Sequence, residues 1–548
     1  MVPYAAAVRV DVLYRGNFVT LDPARPTATT IAVLGGRIVA IDADADGLEA
    51  ASRVDFGERP VFPGFHDAHA HTPSFGIALG ELDLSSPPVR SLEDLYELVG
   101  NQAAAQQPGE WLIGSGYDQN KLGGLHPSRR RLDEVAGARP VWLKHTSGHM
   151  CVVNSAVLER IGPAAHEHID GGVVELDPTG EPTGRLEERA QSLVQRLVLP
   201  RPLTEIAAAV GRAHDRYLAE GITSVCDAGI AGGWIGQSPV ELAAFQLARE
   251  QGRLRVRTTV MISSDVVHDS GAHTADGIGR ALDAGIRTGL GDEWLRIGPL
   301  KVFSDGSLIG RTCWMHEEFS DAPGNTGYPQ GDPAELRRTI VDAHRAGWQV
   351  ATHAIGDAAV SFVLDCYSEA LELAPRPDHR HRIEHCGVTT DADLARIAAL
   401  GVIAVPQARF IGEIGDGMLA ALGPGRGRLA YRLKGFLEAG VVLPGSSDRP
   451  VVDGRPLLGI ADMVMRRTES GQSFAPEEAL TPEEALFSYC AGSAYATRTE
   501  HERGTLEVGK LADFVVLEDD PRRVAPEAIA DIAIAATVVG GELAYRTW

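Results

Sequence analysis

Eight short apolar runs, separated by stretches of helical periodicity, restrict the fold of this chain more than any other feature. They are 59–71 (RPVFPGFHDAHAH), 221–229 (GITSVCDAG), 253–262 (RLRVRTTVMI), 295–305 (LRIGPLKVFSD), 348–357 (WQVATHAIGD), 380–387 (RHRIEHCG), 402–407 (VIAVPQ) and 441–448 (VVLPGSSD). Parallel strands need crossover connections of a dozen or more residues, usually helices, and eight such units close into a barrel. The expected fold is therefore α/β, a (β/α)8 TIM barrel. The interval between the first two runs is too long for one helix. Residues from about 80 to 200 are expected to form an inserted α/β subdomain, rich in Pro and Gly around 126–140 and 171–184.

Both ends of the chain are β-rich. Runs at 8–16, 29–42 and 53–62 are matched at the far end by 510–518 and 534–546, and Gly35-Gly36 and Gly540-Gly541 each sit where a hairpin turn is needed. The two ends are expected to combine into one composite β-sandwich. The boundaries that follow are 1–62 for its first part, 63–80 for the first barrel strand, 81–203 for the insertion, 204–492 for the rest of the barrel and 493–548 for the second β part.

Composition enters mainly to exclude. With 548 residues the chain exceeds one simple domain, and 44% hydrophobic with 23% charged residues is ordinary for a globular protein. A formal charge of −23 opposes binding to nucleic acid or to anionic membrane surfaces, so neither is an expected partner. Cysteines 151, 226, 313, 366, 386 and 490 are scattered singly, as in a reducing compartment. The start, MVPYAAAVRVDVLYRG, does not match a signal peptide, and no run of 18 apolar residues occurs. The expected location is the cytoplasm.

The ends of the strand-like runs carry the chemistry. His69 and His71 are two apart at the end of the first run, so a strand projects both imidazoles to one side, where they can hold a zinc-like ion. His-x-His is a weak signal alone. Two further copies, His166-x-His168 and His379-x-His381, are expected on the surface or in loops. Lys301, on the fourth run, would ordinarily be an exposed or ion-paired lysine. At the mouth of a metal-holding barrel it can instead be carboxylated, giving an anionic oxygen donor between two cations. Its bare ammonium would repel them. His353 and His385 close the fifth and sixth runs; a lone histidine there is usually a hydrogen-bonded core residue, but two on consecutive strands at one end suggest ligands. Asp448 closes the eighth run, where it can ligate a metal and accept a proton from activated water, or simply cap a helix. His-x-His, Lys, His, His and Asp thus fall at the ends of five strands, on the face where barrel enzymes keep their chemistry.

The motifs PGFHDAHAH, GYDQN, SGHMCVVNSAVL, GEPTGRLEE, KVFSDGSLIGRT, THAIGD, IEHC, GSSDRPV and GTLEVGKLADFVVLE resemble those of the amidohydrolase superfamily, in its YtcJ-like branch (the amidohydrolase 3 family), over nearly the whole chain. The resemblance implies a barrel with a composite β-sandwich and one or two divalent ions, usually Zn2+. It implies that His69, His71 and Asp448 hold the more buried metal and His353 and His385 the more exposed one, with Lys301 bridging if carboxylated. Two departures stand out. Ser147-Gly148-His149 replaces a usual Asp-Gly-His, and His66 replaces an aliphatic residue, with no catalytic consequence expected.

The expected reaction is hydrolysis of an amide-type C–N bond in a small molecule, with Asp448 shuttling the proton. The characterised activity this chain most resembles is N-substituted formamide deformylation, giving formate and an amine. Another amide, a carbamate or a cyclic amide would use the same residues, and a non-catalytic regulatory role is the competing class. A deaminase would typically need a Glu beside the fifth-strand His, which THAIGD lacks. His149 is expected either to contact the substrate or to pack under Met150 as a structural residue, and Asp305 either to contact the substrate or, with Gly306, to shape the loop at the metal. Asp357 is expected either to orient His353 or to cap a helix, and a homodimer is the expected assembly.

Overall fold

The computed structural model describes residues 9–86, 89–107, 109–232, 235–273 and 278–548. Residues 1–8, where the first expected β run begins, lie outside it, as do 87–88 and 108 of the expected insertion and 233–234 and 274–277 of the expected barrel segment.

Seven parallel strands form the central sheet: β1 (Phe65–Ala70), β2 (Ile222–Ile230), β3 (Arg257–Ser263), β4 (Leu295–Phe303), β5 (Val350–Ala354), β6 (Arg382–His385) and β7 (Ile403–Val405). Each pairs with the next in sequence, so the sheet runs β1 to β7 without reversal, as a barrel requires. Its outward side chains, among them Val225, Val260, Val302 and Ile383, join a large apolar cluster under the surrounding helices.

The eighth run, expected as a strand, is extended chain without a regular ladder. It lies along β1: Ala68 N donates to Gly445 O at 2.9 Å, Asp448 N to His69 O at 2.7 Å and His71 N to Arg449 O at 2.8 Å. Toward β7 the closure is made by side chains, with Ser446 Oγ donating to Pro406 O at 3.0 Å and Gln407 Nε2 donating to Ser446 Oγ at 3.2 Å. Pro406 and Pro444 lack N–H groups, so a continuous ladder cannot form across this seam. Gly445 is required here because a Cβ would meet the Tyr489 ring at 2.4 Å.

The two chain ends share one seven-stranded sheet, in the order Glu542–Arg546, Ile534–Val539, Phe514–Leu517, Ala50–Pro63, Val10–Val19, Thr27–Leu34, Arg37–Ile41. Both expected Gly-Gly turns are present, with φ of +58° and +77° at Gly35 and Gly36 and +58° and +73° at Gly540 and Gly541, the left-handed pair that a tight hairpin demands. The insertion carries its own six-stranded sheet, from Leu82–Asp83 to Pro182–Glu188, packed on the helices Leu92–Ala105 and Arg129–Ala136. The turn between Val141–His145 and Met150–Val153 places Ser147, Gly148 and His149 in the wall of the cavity over the barrel mouth.

Candidate metal centre

His69 and His71 converge on one carboxylate oxygen: Asp448 Oδ1 is 3.1 Å from the Nε2 atom of each. One candidate ligand atom from each of the three residues lies within 4.8 Å of the others. The backbone is bent to achieve this. Asp448 has φ +60° and His385 φ +68°, left-handed values rare for residues with a Cβ and concentrated at functional sites. Asp67 helps hold the bend, its carboxylate accepting from the His69 and Ser447 N–H groups at 3.1 Å and from the Ser447 hydroxyl.

His353 and His385 stand beside this group, their ring centroids 4.5 Å apart, with His385 5.0 Å from His69. Three of the four imidazoles have one nitrogen committed elsewhere. His69 Nδ1 faces Glu384 Oε2 at 2.5 Å, His385 Nδ1 faces Gln407 Oε1 at 2.6 Å, and His353 Nε2 faces the Gly306 carbonyl at 3.0 Å. That leaves Nε2 of His69 and His385 and Nδ1 of His353 for a ligand, the arrangement in which a hydrogen-bonded outer partner fixes the tautomer of a metal-binding ring. Glu384 is itself gripped by Arg382, whose Nε and Nη2 donate to its two oxygens at 2.7 and 2.9 Å.

The electrostatics suit a cation. Burial pushes the basicity of His71, His353 and His385 down, so these rings are neutral and able to ligate. Burial acts the same way on His69, as does Lys301, but the Asp448 and Glu384 carboxylates outweigh them and raise its pKa. For Asp448 burial raises the pKa, yet the His69 charge and the hydrogen bonds of His69 and His71 hold the carboxyl well below its ordinary range. Burial lowers the Lys301 ammonium to about 8. Among the described residues, His69 Nε2, Asp448 Oδ1 and Lys301 Nζ are buried with no aligned hydrogen-bond partner, the 3.1 Å approach of the first two included. The unsatisfied His69 Nε2 and Asp448 Oδ1 are of a ligating kind and fit a bound cation, to which Lys301 can contribute only once its ammonium charge is removed.

All six expected ligands, His69, His71, Lys301, His353, His385 and Asp448, line one cavity of about 710 Å3. His149 lines it too, its ring 5.2 Å from His353 and its Nδ1 2.7 Å from Glu188 Oε2. Asp305 is not in the cavity wall: it is fully buried, accepting from the Trp314, Ile355 and Gly356 N–H groups at 2.8–3.0 Å, with one oxygen 3.4 Å from His353 Nε2. It shapes the loop after β5. Asp357 accepts from the His316 and Ala358 N–H groups and opens the helix Asp357–Leu373, so it serves the backbone rather than His353. His66 is buried, and its environment keeps it neutral.

The two other His-x-His copies part ways. His166 and His168 are exposed, as expected. His379 and His381 lie in a loop, between the helix Asp357–Leu373 and β6, as expected, but are buried rather than solvated. His379 Nε2 meets the Leu400 carbonyl, and His381 binds His344 and the Val350 N–H at the start of β5. Glu384, Gln407 and Glu188 were not singled out in the sequence. Only Glu384 left a trace there, as the alternating Arg382-x-Glu384 pair in the short strand that ends at His385.

Residues 53–545 match the Amidohydrolase family. The protein YtcJ of Bacillus subtilis (strain 168) is 30% identical over 506 residues, covering 91% of this chain and 92% of that protein. An N-substituted formamide deformylase of Arthrobacter pascens is 28% identical over 549 residues, covering 97% of this chain and 98% of its own. Among solved structures, an uncharacterized metal-dependent hydrolase from Pyrococcus furiosus superposes with a TM-score of 0.69 at 27% identity, covering 93% of this chain and all of that one.

Proposed function

The chain belongs to the amidohydrolase family and is a hydrolase of carbon–nitrogen bonds, and we propose that its substrate is an N-substituted formamide, cleaved to formate and an amine. The observation that carries this reading is the convergence of six ligand-type side chains from β1, β4, β5, β6 and the segment closing the barrel on one cavity. His69, His71 and Asp448 would hold one divalent cation, and His353 and His385 a second, with Lys301 as a carbamate between them. The mixed nitrogen and oxygen donors favour Zn2+. When bound, such a cation acidifies water and polarises a carbonyl.

The chain's own groups supply the rest. Asp448, an ionised carboxylate at the cavity floor, takes the proton from the attacking water and returns it to the departing nitrogen. The water oxygen bonds to the acyl carbon, and the C–N electron pair leaves on nitrogen. His149, held by Glu188, contacts the substrate from above. Asp305 positions the loop behind His353. The six free, buried cysteines fit a cytoplasmic setting, and a homodimer belongs to the same reading, open to test by sedimentation.

The test pairs metal analysis with a hydrolysis screen of formamides, other amides and carbamates. Asp448→Ala is expected to lose turnover by at least about 10³-fold while keeping most of its metal, as loss of the proton-transfer group requires. Retained turnover in that variant would remove Asp448 from the role.

A further inference from the structure

A second, much smaller chamber shares Ser147, His149, His385 and Asp448 with the wide cavity. Its volume is about 20 Å3, room for roughly one water-sized group. Away from those shared polar groups and Ser307 the wall is apolar: Phe410, Ile414 and Met418 repeat every four residues along one face of the helix Arg409–Arg426, and Leu308, Ile309 and Ile355 stand with them. The Phe410 ring lies nearly parallel to the His385 ring, 6.1 Å between centroids, so the chamber begins at a proposed ligand.

The two groups flanking a scissile amide carbonyl have different fates. The departing aliphatic amine becomes an ammonium at neutral pH, and an unpaired charge is strongly disfavoured in apolar surroundings. The wide cavity, whose wall carries polar and charged groups of both signs, Glu81, Asp83, Lys144 and Asp453 among them, suits that side. The acyl substituent stays uncharged throughout, which suits the apolar chamber. Resting on the reading of this site as an amide hydrolase, we infer that the chamber is the acyl pocket and a size filter. It admits a formyl hydrogen or at most a methyl group, and Met418 and Ile414 set the limit.

The test compares kcat/KM of zinc-loaded enzyme on N-benzyl formamide, acetamide and propionamide. The wild type is expected to lose about 10–200-fold per added carbon. Met418→Ala, and to a smaller extent the gentler Ile414→Val, should narrow the formyl-to-acetyl ratio by at least about tenfold. In parallel, formate, acetate, propionate and butyrate are titrated into the same zinc-loaded proteins by calorimetry. Affinity should fall with chain length in the wild type and recover in Met418→Ala. No turnover together with this binding series would refute the amide reading and leave the chamber standing. Affinity and turnover indifferent to acyl length, or a ratio unchanged in folded Met418→Ala and Ile414→Val, would overturn the inference.

Discussion

Replacing Glu384 by Gln is the sharpest probe of how the centre is held. Glu384 is fully buried and touches two partners, Arg382 through two hydrogen bonds and His69 Nδ1 at 2.5 Å. Gln keeps the volume but removes the charge that both partners face. Arg382 would then be a buried cation without a counter-charge, facing the neutral Gln oxygen, the Ala68 carbonyl at 2.8 Å and the Cys226 sulfur at 3.9 Å. Breaking one side of a buried ion pair costs about 3–5 kcal/mol, the cost expected in stability here. The effect on metal is separable. An outer carboxylate that orients a ligating His contributes about 10–100-fold in affinity, or about 1.4–2.7 kcal/mol. Burial pushes the Glu384 carboxyl upward, but Arg382 and His69 depress it strongly on balance. Its stabilisation is therefore complete above the ordinary carboxylate pKa of about 4.3 and fades only as pH falls through the depressed folded value. Chelator-competition titration of Zn2+ at pH 7.5, with urea unfolding of the metal-free protein, measures the two effects independently. Zinc affinity within twofold of wild type in folded Glu384→Gln would refute the claim that Glu384 orients His69.

Two further predictions test other buried charges. Burial raises the Glu241 carboxyl to about 8, with the Ala231 and Gln237 N–H groups on one oxygen only partly offsetting it. The folded state thus holds that proton more tightly than the unfolded chain, an advantage complete below about pH 4.3 and lost as pH rises toward 8, so Glu241→Gln should gain on the order of 2–4 kcal/mol relative to wild type between pH 5 and 8 in urea unfolding, and a pH-independent difference would count against it. Because burial brings the Lys301 amine to about 8, much of it is unprotonated in mildly alkaline solution. Incubation with 13C-bicarbonate and zinc should give one carbamate carbon resonance that is missing from Lys301→Met; a spectrum without it would leave the bridge unsupported.

The barrel was legible because strand and ligand information coincide: each of β1, β4, β5 and β6 is a buried strand that carries a ligand-type residue within its last three positions. The eighth strand was legible in position but not in regularity, since its closure on β7 runs through side chains, Ser446 Oγ to the Pro406 carbonyl and Gln407 Nε2 to Ser446 Oγ, rather than a backbone ladder. The loop position of His379 and His381 is legible in their pattern, but their burial is not, because only the folded chain brings His344, the Val350 N–H and the Leu400 carbonyl to their rings. Glu188 lies 39 residues from the His149 it holds, with nothing local to pair them. Of the two roles the sequence allows Asp305, loop shaping is the one its contacts serve, since its oxygens go to backbone N–H groups from two other loops.

We propose that chemistry here depends on divalent metal held by His69, His71 and Asp448 together with His353 and His385. The direct measurement is the turnover of an N-substituted formamide by chelator-stripped protein as Zn2+ is returned stepwise, with bound metal counted at each point. Activity should be absent at the start and rise in proportion to metal up to one or two equivalents, and the same titration of His69→Ala should restore little. Full turnover by protein shown to be free of divalent metal would contradict the account.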